Sequence, residues 1–96
     1  MYLRLVRFAF GPAKHPAAEE LARTLVPAIN DQKGCSGVTF FGDATDGEYG
    51  LVVLWGSQED ADAAAQVIGP ILQQGLAGNV QGPPDIRPFE VIESRP

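Results

Sequence analysis

The chain of 96 residues predicts an α+β fold in a single domain, a four-stranded antiparallel sheet carrying two helices on one face. Three observations lead there. Strand-like and helix-like hydrophobic periods follow one another in the order β-α-β-β-α-β. Glycine and proline clusters mark most changes of period. A hydrophobic content of 45% spread over 96 residues fills one core and leaves no material for a second domain.

Residues 2–10 are rich in aromatic and branched side chains and stop at Gly11-Pro12, which a strand does not continue through, so they form strand one. Pro16 suits a first helical turn, Glu19 and Glu20 suit the positive end of a helix, and Leu21, Leu25 and Ile29 recur every four residues. Helix one therefore follows, closing near Lys33-Gly34. Pro27 lies inside it and removes one backbone hydrogen bond, so the helix kinks there or its ends fall elsewhere. Gly37–Phe41 is β-prone again, and the polar stretch 42–47 leads into Glu48–Trp55, making a hairpin of strands two and three. Ser57-Gln58-Glu59-Asp60 has the Ser-x-x-acid signature of a capped start, which opens helix two at Ser57. Gly69-Pro70 is expected to bend or split that helix, residues 75–84 form a long loop, and residues 86–93 form strand four. With short connections and right-handed crossovers this order gives the ferredoxin-like βαββαβ sandwich, occupying residues 1–96.

Composition narrows the function. One cysteine excludes an internal disulfide, and one histidine beside it falls short of a structural zinc set, so neither a metal nor a bound cofactor is expected. Twelve acidic against seven basic side chains leave a formal charge of −5, which repels phosphate backbones, and nucleic acid is not the expected partner. Arg4 and Arg7 interrupt the N-terminal apolar run, and no later run approaches the roughly 20 apolar residues of a membrane helix. A cytoplasmic location away from the membrane is the expectation.

The strands themselves argue for a dimer. In strand three Tyr49, Leu51, Val53 and Trp55 point one way while Val52 and Leu54 point the other. Strand one splits Tyr2, Val6 and Phe8 from Leu3, Leu5 and Ala9, and strand four separates Ile86 from Phe89 and Val91. Two helices cover one face only. The bare face spans roughly 300 Å² in projection, from strands ~4.8 Å apart and ~17 Å long, at the upper end of what monomers expose. A homodimer with sheets packed face to face is the simplest cover.

Gly34-Cys35-Ser36-Gly37 before strand two, Glu48–Val52 leading into Trp55-Gly56-Ser57, and Glu59-Asp60-Ala61 behind it resemble the dimeric α+β barrel superfamily, in particular its antibiotic-biosynthesis-monooxygenase-like branch. The resemblance spans nearly the whole chain in element order, and Gly82-Pro83-Pro84 before the last strand adds to it. It implies paired sheets in a homodimer and a pocket between sheet and helices bordered by the tryptophan. Some members oxidise aromatic substrates there without a cofactor, and others degrade heme. The heme-degrading members use an asparagine on strand one and a histidine on the second helix. Here the strand-one position falls near Arg4 and helix two holds no histidine to ligate iron, which disfavours heme chemistry.

Trp55 and Arg4 are the candidate catalytic residues. The resemblance places Trp55 on the pocket, although a tryptophan ending an apolar strand also serves as core packing. Arg4 shares a strand face with Tyr2, Val6 and Phe8, from which its guanidinium can bind an acidic or phenolic ligand bidentately; the competing role is an ion pair with Glu90 or Glu93. Tyr49 lies six residues from Trp55, roughly 20 Å along a strand, too far to share a ligand atom and better placed to mark the hairpin end. His15 is an acid–base candidate in the loop before helix one, Cys35 packs as a small hydrophobe, Ser57 is taken by the cap, and Asp60 and Asp62 are solvated. These residues suit a small-molecule-binding homodimer of the cofactor-independent monooxygenase type, acting on a phenolic or quinol-type aromatic. The alternative is a non-catalytic ligand-binding or scaffolding dimer of the same fold, and a ring-isomerising or lactone-processing activity lacks an identifiable base.

Overall fold

The computed structural model describes residues 1–95. Its elements are β1 (Tyr2–Ala9), α1 (His15–Asn30), β2 (Cys35–Asp43), β3 (Glu48–Trp55), α2 (Gln58–Leu76) and β4 (Asp85–Glu90). The strands form one antiparallel sheet in the order β2-β3-β1-β4. Order and topology are those expected of a ferredoxin-like sandwich.

The register aligns side chains into rows across the helix-covered face. Cys35, Trp55, Tyr2 and Glu90 make the first row, Val38, Val53, Arg4 and Pro88 the second, and Phe40, Leu51, Val6 and Ile86 the third. Trp55, Val53, Leu51 and Val6 in these rows are buried, in one core with Ala18, Leu21, Leu25 and Ile29 of α1. That spacing of three or four residues is one helical stripe, and its burial is the main source of stability. Leu3, Leu5, Val52, Leu54, Phe41 and Phe89 share the opposite face, where the two phenylalanines are each 40% exposed and neither helix lies.

Element ends follow local chemistry. α1 stops at Asn30, short of Lys33-Gly34, because Asp31 and Gln32 donate back into the last turn and Gly34 then takes φ +85°. Ser57 caps α2, its Oγ accepting from Asp60 N–H at 3.1 Å, with Glu59 and Asp60 in the positive first turn. α2 is not split at Gly69-Pro70 but runs unbroken to Leu76. Pro70 is on the exposed side, so its missing donor leaves a carbonyl open to water, while Ala64, Leu72 and Leu76 hold both flanking segments in the core. β2 extends from 35 to 43 with a bulge at Cys35/Gly37. β4 ends at Glu90 rather than residue 93, because β1 begins at Tyr2 and only Met1 O remains to accept from Val91 N–H at 3.0 Å. Pro88 is accommodated because β4 is an edge strand.

One glycine ties the hairpin to the sheet end. Gly47 has φ +74°, its carbonyl accepts from Phe10 N–H at 2.8 Å and Gly11 N–H at 3.2 Å, and a Cβ there would overlap the Gly11 backbone. Gly47→Ala is expected to lower stability by about 3 kcal/mol, read as a fall in Tm of roughly 12–20 °C in thermal denaturation followed by circular dichroism.

Candidate functional site

Two residues separate the end of β3 from the start of α2, so its first turns stand over the row that contains Trp55 and Tyr2. The face that α2 turns to the sheet is made of small residues in its first half, Ala61 and Ala64, and carries large ones, Ile68, Ile71, Leu72 and Leu76, only in its second. Alanine does not reach the sheet as leucine does. The result is space between α2 and the sheet, in two adjoining parts.

The outer part is an open cleft of about 380 Å³ bordered by Tyr2, Gln58, Asp62, Pro88 and Glu90 together with Arg4, Trp55 and Ala61. The inner part is an apolar space of about 90 Å³ under Ala64, Ala65 and Gly69, walled by Val6, Leu51 and Val53. Arg4, Trp55 and Ala61 line both, and this shared border is the neck of the site. Arg4 stands opposite Val53 on the sheet, so Trp55 is its diagonal neighbour, with Cα atoms about 7–8 Å apart. The structure thus brings together the two residues singled out from sequence.

Polar groups at the neck are incompletely satisfied. Trp55 is 3% exposed, and its Nε1–H has no hydrogen-bond partner among the described residues; the same holds for the buried Nε–H of Arg4. A buried donor without an acceptor costs about 1–3 kcal/mol, a deficit that an oxygen atom of a ligand removes. The Arg4 Nη2 lies 3.4 Å from Asp62 Oδ1, so its ion-pair partner comes from α2 and not, as expected, from Glu90 or Glu93 on the strand-four side. The reason is the register, which sets Pro88 directly opposite Arg4. Asp62 is accordingly engaged rather than simply solvated.

The remaining candidates lie elsewhere. Tyr49 is buried at the far end of the face among Phe8, Phe10 and Phe40, and its hydroxyl is 3.3 Å from Nδ1 of His15, whose Nε2 is 3.1 Å from Glu19 Oε1. His15 is the first residue of α1 rather than a loop residue, and it is remote from the neck. Cys35 shares the Trp55 row and packs against the core, and Ser57 is occupied by its capping bond. Among the described residues no three His, Cys, Asp or Glu side chains converge as metal ligands. Sequence reasoning missed Asp62, Gln58, Tyr2 and Glu90 as site residues. The alanines at 61, 64 and 65 with Gly69 were the available signal, a helix face too small to fill the space beneath it.

No protein-family profile matches the sequence, and no curated protein matches it either. Solved structures do match. The chain carries the antibiotic biosynthesis monooxygenase fold. A Nitrosomonas europaea protein assigned to the antibiotic biosynthesis monooxygenases superposes with a TM-score of 0.84 at 17% identity, over 97% of this chain and 100% of its own. SnoaB, a cofactor-independent oxygenase from Streptomyces nogalater in a mutant form, gives 0.79 at 15% identity over 99% and 96%. Rv0793 from Mycobacterium tuberculosis gives 0.77 at 17% over 97% and 96%. This fold places the sheet, α1 and α2 as described above, and no helix among the described residues is long and apolar enough to cross a membrane.

Tyr49→Phe removes a hydroxyl at the far end only. It is expected to cost about 1 kcal/mol in urea denaturation and to leave the fluorescence of Trp55 unchanged.

Proposed function

We propose that the chain is a small-molecule-binding homodimer that oxidises a phenolic or quinol-type aromatic substrate without a cofactor. The observation that carries this reading is the pair of buried, unpartnered N–H donors, Trp55 Nε1 and Arg4 Nε, at the neck of a cavity that is open on one side and apolar on the other. The outer cleft of about 380 Å³ lies in the range of small-ligand sites. The inner space of about 90 Å³ is smaller than the ~150 Å³ that admits benzene, so it suits a molecule the size of dioxygen and not the ring. The substrate ring then occupies the cleft with its oxygen at the neck.

The chain's own residues do three things in this reading. Trp55 and Arg4 donate to the substrate oxygen and stabilise the phenolate, a role in which one donor is worth about 10²–10³ in rate. The cleft walls hold the ring with its electron-rich carbon toward the inner space, and the apolar lining keeps water away. The phenolate gives an electron to dioxygen and the pair joins at a ring C–H carbon. The resulting peroxide takes the proton released by the phenol, and loss of water, which breaks the O–O and C–H bonds, leaves a ring carbonyl holding one oxygen atom while the other departs in the water. The homology of fold to SnoaB supports the reaction class.

The dimer rests on the open sheet face. Leu3, Leu5, Val52, Leu54, Phe41 and Phe89 present an apolar surface there, and a second copy of the same face covers it by two-fold symmetry. A scaffolding role, with Trp55 as core, is the alternative reading, supported by the 3% exposure of Trp55.

Oxygen uptake with a panel of hydroquinones and anthrone-like phenols tests the activity. Turnover is expected, falling about 100-fold in kcat/KM in Trp55→Phe and in Arg4→Gln; no turnover with any of them rejects the enzymatic reading. In sedimentation at micromolar protein the parent is expected to run as a dimer and Leu5→Glu as a monomer, and a monomeric parent removes the paired-sheet arrangement.

A further inference from the structure

Asp62 stands at the mouth of the cleft, paired with Arg4. The pair joins β1 to α2 across the neck, with the Arg4 side chain 24% exposed and that of Asp62 62% exposed. It is a single contact at 3.4 Å on the edge of solvent, the class of ion pair that contributes about 0–1 kcal/mol and exchanges readily. Arg4 meanwhile keeps its buried Nε–H without a partner. A ligand oxygen that takes both Nε–H and Nη2–H makes the bidentate pair that Asp62 does not make.

A second carboxylate borders the same cleft. Glu90, on the β4 edge, has no ion-pair partner among the described residues. One guanidinium therefore faces two carboxylates, and the mouth is negative in sum. A neutral phenol enters such a mouth without penalty. A ligand that is already an anion must displace Asp62 while both carboxylates repel it.

We propose that Asp62 is a selectivity residue, a resident counter-ion that holds Arg4 in the unliganded protein and biases the cleft toward neutral aromatic ligands over carboxylate-bearing ones. This rests on the reading of the cleft as a ligand site and assigns its discrimination. Asp62 acts through Arg4 and through charge, and it is a positioning residue, not a catalytic one.

Trp55 is the single tryptophan of the chain, so its fluorescence reports on the neck alone. Two nitroaromatic quenchers of equal shape, 4-nitrobenzamide (neutral) and 4-nitrobenzoate (anionic), separate charge from fit in an equilibrium titration that needs no turnover. The parent is expected to bind the benzamide more tightly than the benzoate. Asp62→Asn is expected to tighten benzoate binding about fivefold while benzamide changes less than twofold. Asp62→Glu retains the parent's preference, and the gain disappears in the Arg4→Gln/Asp62→Asn double variant. An unchanged benzoate-to-benzamide ratio in Asp62→Asn, or no saturable quenching of Trp55 by either probe, overturns the proposal. Selective binding without oxygen uptake rejects the oxygenase reading and leaves the selectivity role of Asp62 standing.

Discussion

The antiparallel β1–β3 ladder sets every other placement in the molecule. Its register pairs Tyr2 with Trp55 and Phe8 with Tyr49, so that one face of two central strands is apolar along its length except at Arg4. Side chains alternate with a period of two, and a slip of one residue would turn Trp55, Val53 and Leu51 to the wrong face and expose them. Burying that face fixes where α1 and α2 lie. The same alternation turns Arg4 into the covered layer beside Trp55, although its charge favours water. A charged residue is held there because the ladder leaves it no alternative, and its guanidinium reaches the cleft edge where Asp62 meets it.

The candidate site lies where packing is weakest. α1 fills its side of the sheet with Leu21, Leu25 and Ile29, whereas α2 brings alanines to the Trp55 end. Space remains under α2 as a direct result, bordered by Arg4 and Trp55, whose Nε–H and Nε1–H the core leaves without a partner. Native interiors rarely leave buried donors unpaired, and here two belong to neighbouring residues. At the opposite end Tyr49 is surrounded by Phe8, Phe10 and Phe40 and its hydroxyl meets His15, with no such deficit. The two ends of one apolar face thus differ in kind, one closed by aromatic rings and the other left open by small residues.

Much of this was legible in the chain. Glu48–Trp55 was readable to the residue because Gly47, Gly56 and a capping serine bracket a run of mostly aliphatic and aromatic residues. The start of α2 at Ser57 followed from its side-chain acceptor alone. Trp55 and Arg4 were readable as candidates, while the register placed both on the covered face as diagonal neighbours. Asp62 was not. Its partner is 58 positions away in the chain, and only the seating of α2 on the sheet brings the two within 3.4 Å. The expected partners Glu90 and Glu93 failed for a related reason: the register, which local pattern does not specify, sets Pro88 opposite Arg4. The break expected at Gly69-Pro70 failed because local propensity yields to the burial of Leu72 and Leu76 on the far side of it.

The sequence by itself determined the element order, the two-faced sheet and the residue types able to line a site, because these depend on periods of two and 3.6 and on capping chemistry confined to a few neighbouring residues. Tertiary structure alone decided that an alanine face leaves a cavity, that two donors remain unpaired within it, and that Asp62 holds Arg4 across its mouth. Those are properties of the distance between α2 and the sheet, and that distance is set by the sum of all side chains packed between them.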